Sequence, residues 1–158
     1  MAVIKLTTLI QAPIERVFDL SRSIDAHQYS TATTSEIAVG GITSGLIGLG
    51  EEVEWEARHF GLRQRLSVRI TAFSEPTHFR DEMIKGAFST MRHDHYFEMI
   101  GDNTEVKDVF EYAAPLGLLG KIAEKVFLTR YMRNFLIKRN LILKHVAETD
   151  EWKVFLGE

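Results

Sequence analysis

The clearest pattern in the chain is an alternation of apolar and polar residues that begins near Glu51. Successive side chains of a strand point to opposite faces, so a period of two predicts strands with one buried face. In the first run the apolar residues are Val53, Trp55 and Ala57. In the second run they are Leu66, Val68, Ile70 and Ala72. The segment 59–61 (His-Phe-Gly) separates the two runs and predicts a hairpin turn.

The polar faces of these two strands carry opposite charges. Glu52, Glu54 and Glu56 alternate with the apolar residues of the first strand, and Arg65 and Arg69 do so in the second. An antiparallel pair would place the glutamates opposite the arginines, and such cross-strand pairs contribute about 0.2–1 kcal/mol each. We interpret this row of charges as setting the strand register rather than as a functional site.

Five further segments have the composition and alternation of strands: residues 3–10, 34–42, 78–85, 88–100 and 104–112. The last three place polar and apolar side chains together on one face. These shared faces consist of Phe79, Asp81 and Met83; of Met91, His93, His95, Phe97 and Met99; and of Val106, Asp108, Phe110 and Tyr112.

Helical spacing appears at both ends of the chain. Pro13 and the apolar residues after it predict a short helix over 13–22, and residues 24–29 predict a second one. Residues 118–148 predict one long C-terminal helix of roughly 30 residues, about 45 Å. Its apolar positions are Leu119, Ile122, Val126, Leu128, Met132, Phe135, Ile142, Leu143 and Val146.

Composition and charge exclude several classes of protein. Of the 158 residues 45% are apolar and 26% are charged, which is ordinary for a globular domain, so we expect a single domain over 1–158. A net charge of −3 gives no overall attraction to nucleic acid, and we expect no such partner. The absence of cysteine excludes disulfides and thiolate metal sites. Because no signal peptide or membrane-spanning run is evident, we expect a cytoplasmic protein.

The order of elements predicts an α+β fold. A strand and two short helices are followed by about six antiparallel strands and then by the long helix. A strongly curved antiparallel sheet of about seven strands, with the long helix across its concave face, satisfies this order. The glycine-rich loop 41–50 lacks the spacing of a phosphate-binding motif, and we interpret it as a flexible loop beside the sheet.

Nearly the whole chain resembles the SRPBCC (START-like, helix-grip) superfamily, which includes polyketide cyclases, coenzyme-Q-binding proteins, lipid-transfer START domains and the birch-pollen allergen group. It is most similar to small bacterial members often labelled cell division inhibitors. The segments that carry the resemblance are Ala12-Pro13 with Val17-Phe18, WEARHFGLRQRLSVRI (55–70), Phe88 with HDHYFE (93–98), Asp108-Val109 with Glu111-Tyr112, Pro115-Leu116-Gly117, and RYMRNFLIKRN (130–140).

The resemblance implies a tunnel-like pocket between the sheet and the long helix. We therefore expect the protein to bind a small hydrophobic molecule there without covalent attachment, such as a lipid, a quinone or a polyketide-like compound, with no cofactor. The residues proposed for the pocket are Trp55, Asp81, Met91, His93, His95, Phe97, Asp108 and Phe110. Methionine suits such a wall because it adapts to irregular apolar neighbours.

His93 and His95 are the residues most capable of metal binding, ligand recognition or acid–base chemistry. Being two apart on a strand, they point the same way, and strand order places Asp81 and Asp108 nearest to them as potential hydrogen-bond partners. The pair could chelate a metal, but the spacing shows no further ligands, so we predict no metal site. It could also recognise a polar group of a ligand, or act in general acid–base catalysis as in the cyclase and dehydratase members.

Two alternatives to a carrier or sensor remain. The first is a polyketide cyclase- or dehydratase-like enzyme that uses the pocket histidines and aspartates, although we assign no catalytic residue. The second is a regulatory protein linked to cell division. The long helix also carries seven basic residues, and we expect them to form a solvated face rather than to contact a membrane.

Overall fold

A seven-stranded antiparallel sheet forms the centre of the molecule, which we describe over residues 1–157 from a computed structural model. The strand order is β1-β7-β6-β5-β4-β3-β2, so each strand after β1 pairs with the next one and β1 pairs with β7. The strands are β1 (Ala2–Ile10), β2 (Ile37–Gly41), β3 (Glu52–His59), β4 (Leu62–Ser74), β5 (His78–Lys85), β6 (Thr90–Ile100) and β7 (Asn103–Ala113).

Helices occupy the two predicted regions. The N-terminal ones are α1 (Ile14–Ser21), α2 (Ile24–Ser30) and a 3₁₀ turn (Ala32–Thr34), and the C-terminal ones are α3 (Gly117–Ala123), a π-helical turn (Glu124–Leu128), α4 (Thr129–Glu148) and α5 (Trp152–Leu156). Ser23 caps α2, because its hydroxyl accepts a hydrogen bond from the backbone N–H of Ala26 at 3.1 Å. None of the helices within residues 1–157 is long and apolar enough to cross a membrane.

The α+β architecture predicted from the sequence is confirmed, with three local differences. The predicted strand over 34–42 begins only at Ile37, because the chain first makes the 3₁₀ turn. The long helix contains a π-helical turn, which adds one residue to a turn. The C-terminal tail of the chain, to which the sequence pattern assigned no element, contains the short helix α5.

The β3–β4 hairpin has the turn predicted from the sequence, but the alternation of buried residues does not continue to the end of β4. Phe60 and Gly61 form its two-residue turn with positive φ angles of 54° and 73°, which suits the twist of the flanking strands. Further along β4 the register shifts between Ile70 and Ala72. As a result Phe73, rather than Ala72, packs against the core ring of Phe18, at 5.4 Å between ring centroids.

The long helix is buried along α4 but not along α3. Met132, Leu143 and Val146 of α4 are buried in the core, as the helical spacing predicts. The same spacing was wrong for Leu119 and Ile122, together with Val126, because these side chains are 71%, 52% and 70% exposed. The cause is that α3 contacts the domain through Gly120, so its large side chains lie on the outside.

Candidate functional site

A cavity of about 560 Å³ lies between the concave face of the sheet and helix α4, within the usual size range of ligand sites. Ser23 and Ile24 at the start of α2, and Ile47 of the 41–50 loop, border the cavity, which lies where the sequence analysis expected a pocket. Most of the wall is apolar. Its main apolar residues are Val53, Trp55, Leu66, Val68, Ile70, Phe79, Met91, Phe110, Leu128, Met132, Phe135 and Leu136.

One part of this wall is a polar cluster built from three adjacent strands and a helix. Asp81 on β5 is the direct cross-strand partner of His93 on β6, and His95 is the partner of Asp108 on β7. Arg139 reaches the cluster from α4. Asp81, His93, His95 and Arg139 line the cavity.

Asp108 is the centre of this cluster but does not line the cavity. It is 1% exposed, and its Oδ1 lies 2.8 Å from Nε2 of His93 and 3.1 Å from Nδ1 of His95. Its Oδ2 accepts a hydrogen bond from Nδ2 of Asn140 at 2.7 Å, and Nη2 of Arg139 donates to Oδ1 at 3.2 Å. The expectation that Asp108 belongs to the pocket wall is therefore corrected, because the histidines and Arg139 lie between it and the cavity.

Phe97 is also placed differently from the expectation. Its ring packs edge-on against Phe18 at 5.3 Å and stacks with Phe79 at 6.0 Å, so it belongs to the core behind the wall. The other sequence-predicted site residues line the cavity. They are Trp55, Asp81, Met91, His93, His95 and Phe110.

The pKa values of the two histidines in the cluster shift in opposite directions. Burial and the neighbouring His95 lower the pKa of His93 to about 4, so this ring is neutral near pH 7. Burial also disfavours a charge on His95, but its bond to Asp108 and the charge of Asp81 outweigh burial and raise its pKa. Burial alone would raise the pKa of Asp108, yet the two histidine donors hold it well below its usual range.

The positive and negative charges of the cluster can balance one another. When His95 is protonated, its positive charge and that of Arg139 balance the carboxylates of Asp81 and Asp108. Nε2 of His95 lies 3.6 Å from Oδ2 of Asp81 and has no hydrogen-bond partner within residues 1–157, although it is buried. A buried polar atom without a partner is costly, so a ligand oxygen at this point would satisfy it.

Asp81, His93 and His95 are the residues that could hold a metal ion, since one ligand atom of each lies within 4.8 Å of the others. Their arrangement suits hydrogen bonds better. The centroids of the two rings lie 3.8 Å apart, with an angle of 33° between the ring planes. Each ring also directs one nitrogen at Asp108.

A second polar group of the cavity was missed by the sequence reasoning. Nδ1 of His59 lies 2.6 Å from the hydroxyl of Tyr131. Nε2 of His27 lies 2.7 Å from Oε1 of Glu36, and the ring of His27 packs against that of Trp55 with 4.2 Å between the centroids. His59 has the same parity as Trp55 on β3, so strict alternation would have placed it in the cavity had it not been assigned to the turn.

Arg139 was also missed, although it carried a detectable signal. It follows Leu136 by three residues and precedes Leu143 by four, so it lies on the buried stripe of α4. A basic residue on such a stripe requires a buried partner, and Asp108 supplies it. Asn140 completes the group by accepting from Arg139 and donating to Asp108.

Comparison with solved structures gives the fold a name. The chain is similar to the protein TTHA0849 from Thermus thermophilus, at 18% identity and a TM-score of 0.76 over 92% of this chain and 97% of that one. It is similar to a START superfamily protein from Mycobacterium smegmatis, at 13% identity and a TM-score of 0.68 over 92% and 97%. The fold is START-like.

The START-like fold extends to plant proteins. Ginseng major latex-like protein 151 from Panax ginseng has 16% identity and a TM-score of 0.67, over 94% of this chain and 98% of that one. No family model and no curated protein sequence matches the chain. Because the identities are low, these similarities establish the START-like fold and leave function to the geometry of the site.

Proposed function

We propose that this START-like protein binds one small hydrophobic molecule, non-covalently, in the cavity between the sheet and α4. The observation that carries the proposal is a cavity of about 560 Å³ whose wall is apolar except for a few converging polar groups. Each CH₂ group that a ligand buries there contributes about 0.8 kcal/mol. The role is that of a carrier or sensor.

The polar cluster supports a ligand with an uncharged oxygen group at one end. His95 and Arg139 can donate hydrogen bonds to an oxygen, and Asp81 can accept one from a hydroxyl. When His95 is protonated, a carboxylate ligand would add a negative charge beside Asp81 to a cluster whose charges already balance, which is unfavourable at low dielectric. Quinones, ketones and alcohols with apolar bodies fit this description. The lipid, quinone and polyketide-like ligands expected from the sequence include such molecules.

Cavity filling tests the proposal. Met91 lines the cavity and is 7% exposed, so Met91→Trp should fill part of the space and weaken binding of the lipophilic fluorophore N-phenyl-1-naphthylamine at least about tenfold, if about 1.4 kcal/mol of contacts is lost. Met99→Trp is the matched control, because Met99 lies on the same strand but is 56% exposed. Equal affinity of both variants, with unchanged melting temperatures, would contradict the proposal. Native mass spectrometry of the freshly purified protein should also detect a retained ligand.

A second candidate function rests on the position of His95. Asp108 holds its Nδ1, while its Nε2 lies beside Asp81 at the cavity wall. In a bound ketone, His95 would donate a proton to the carbonyl oxygen while Asp81 removes a proton from the adjacent carbon, which gives the enol and is general acid–base catalysis.

Hydrogen–deuterium exchange of a model ketone tests this enzymatic candidate. The protein should accelerate exchange of the protons beside the carbonyl of 2-decanone in D₂O, as followed by NMR. His95→Gln should reduce that acceleration by about 100-fold, the scale of general acid–base catalysis, while fluorophore binding is retained. If wild-type protein gives no acceleration, ketone enolisation is not its activity.

A further inference from the structure

Large apolar side chains cover one exposed surface beside the cavity, which we call the apolar rim. It is formed by the turn of the β3–β4 hairpin and by the segment from Leu116 through α3 and the π-helical turn. Its members, each 49–78% exposed, are Phe60, Leu62, Leu116, Leu118, Leu119, Ile122, Val126 and Phe127. A soluble domain seldom exposes so many large apolar side chains together without a binding role.

The reversed packing of α3 produces this exposure. A Cβ atom on Gly120 would lie only 1.9 Å from the carbonyl oxygen of Pro115, so α3 approaches the preceding loop closely through its glycine. One turn later Glu124 is buried as well, and its carboxylate accepts a hydrogen bond from the backbone of Ala114. The helix thus buries a glycine and a bonded glutamate while it exposes leucine and isoleucine.

The two parts of the apolar rim form one continuous surface. The ring of Phe60 from the hairpin lies 5.8 Å from that of Phe127 and 4.5 Å from that of Tyr131. All three side chains also line the cavity, so the rim adjoins the proposed binding site.

The charges around the rim are positive, although the whole chain carries −3. Lys121, Lys125 and Arg130 of the helical segment, and Arg58 of the hairpin, are exposed, and none of them forms an ion pair with a residue in the described range 1–157. The segment 114–130 contains one carboxylate, Glu124, and it is buried. Exposed leucines beside unneutralised lysines are typical of elements that lie in the surface of an anionic membrane.

We propose that the apolar rim inserts into the surface of a bilayer that contains anionic lipids, which places the cavity next to the membrane. The charges favour a membrane over a second copy of the chain, because two rims face to face would bring their lysines and arginines together. This proposal replaces the sequence-based expectation of a merely solvated basic face, since the exposure of the apolar side chains was not evident from the pattern.

Vesicle co-sedimentation tests this proposal. Wild-type protein should bind vesicles of two-thirds phosphatidylcholine and one-third phosphatidylglycerol at least about tenfold more tightly than vesicles of pure phosphatidylcholine, since the basic residues of the rim are attracted to an anionic surface. Binding should weaken in about 1 M salt, where the Debye length is about 3 Å. Lys121→Gln combined with Lys125→Gln should reduce binding to the anionic vesicles.

A matched pair of variants separates the rim from general charge effects. Leu119→Glu should lower the vesicle partition coefficient at least about tenfold, by losing an inserted side chain and adding a negative charge. Val154→Glu makes the same charge change at an 80% exposed apolar residue of α5, beyond the far end of α4, and should reduce binding much less. Since Leu119 does not line the cavity, Leu119→Glu should still bind the fluorophore in buffer.

Three results would overturn the membrane proposal. They are no binding of wild-type protein to anionic vesicles, equal effects of Leu119→Glu and Val154→Glu, and a concentration-dependent dimer in light scattering that Leu119→Glu dissociates. The last result would assign the rim to a second copy of the chain. Fluorophore binding in solution tests the cavity independently, so the two proposals can fail separately.

Discussion

Replacement of Asp108 by asparagine should cost far more stability than its small change in size suggests. Asp108 is 1% exposed, and His93, His95, Arg139 and Asn140 all direct a nitrogen at its carboxylate. The substitution keeps the shape but removes the negative charge. It thereby leaves Arg139, itself 7% exposed, without its ion-pair partner in the core.

The size of the effect follows from the burial of the partners. Removing one member of a buried ion pair typically costs about 3–5 kcal/mol, because the remaining charge is not solvated. Native domains are stable by only about 5–15 kcal/mol, so Asp108→Asn should remove a large part of the total. For a chain of this length, the melting temperature should fall by roughly 10 °C. The pKa of His95 should also fall, because the bond to the Asp108 carboxylate helps to raise it.

Asp94 provides a matched control on the opposite face of β6. It is 4% exposed and its Oδ1 is held by Nε2 of His78 and Nε of Arg80, but the side chains of these partners remain 20% and 29% exposed. Water can solvate them after the change, so Asp94→Asn should cost only about 1 kcal/mol.

Urea unfolding at pH 7 measures both free energies. Equal losses of stability in the two variants, or a smaller loss in Asp108→Asn than in Asp94→Asn, would refute the role assigned to the buried charge.

Substitutions of His93, Gly120 and Arg65 give three further predictions. Because the pKa of His93 is lowered to about 4, the unfolded chain gains a proton below pH 6.5 that the folded protein does not; wild-type stability should therefore fall by about 2 kcal/mol more than that of His93→Gln between pH 7.5 and 5 in urea titrations. Gly120→Ala should lower the melting temperature more than Gly45→Ala, because the first places Cβ 1.9 Å from a backbone oxygen of Pro115 and the second meets only a positive φ of 76°. Arg65→Ala should cost less than about 1 kcal/mol, since the Arg65 side chain is 64% exposed in its pairs with Glu54 and Glu56, and a larger loss in urea unfolding would assign the charge row a greater role.

Alternation along the strands determined which side chains share a face. Val53 and Trp55 are buried where a period of two places them, and Asp81, His93 and His95 reach the cavity for the same reason. This information is local, because a strand reverses its side-chain direction at each residue whatever its neighbours are. The sequence therefore predicted the sheet, the long helix and six of the residues that line the cavity between them.

Alternation predicts the face of the sheet on which a side chain lies, but not whether that side chain reaches the cavity. Asp108 and Phe97 point to the concave side as predicted, yet rings from His93 and His95, or from Phe79 and Phe18, fill the space in front of them. Which residue meets the cavity depends on the register of neighbouring strands and on the size of their side chains. Neither property is visible within one strand.

Contacts between distant segments decided the rest. Arg139 meets Asp108 across 31 residues because α4 crosses the concave face of the sheet, and no spacing within the helix indicates that partner. The same limit explains α3, where Leu119 and Ile122 have the spacing of a buried face but the close approach at Gly120 turns them outward. A periodic pattern reports which side chains of one element lie together, whereas the packing of that element decides whether their shared face meets the core or the solvent.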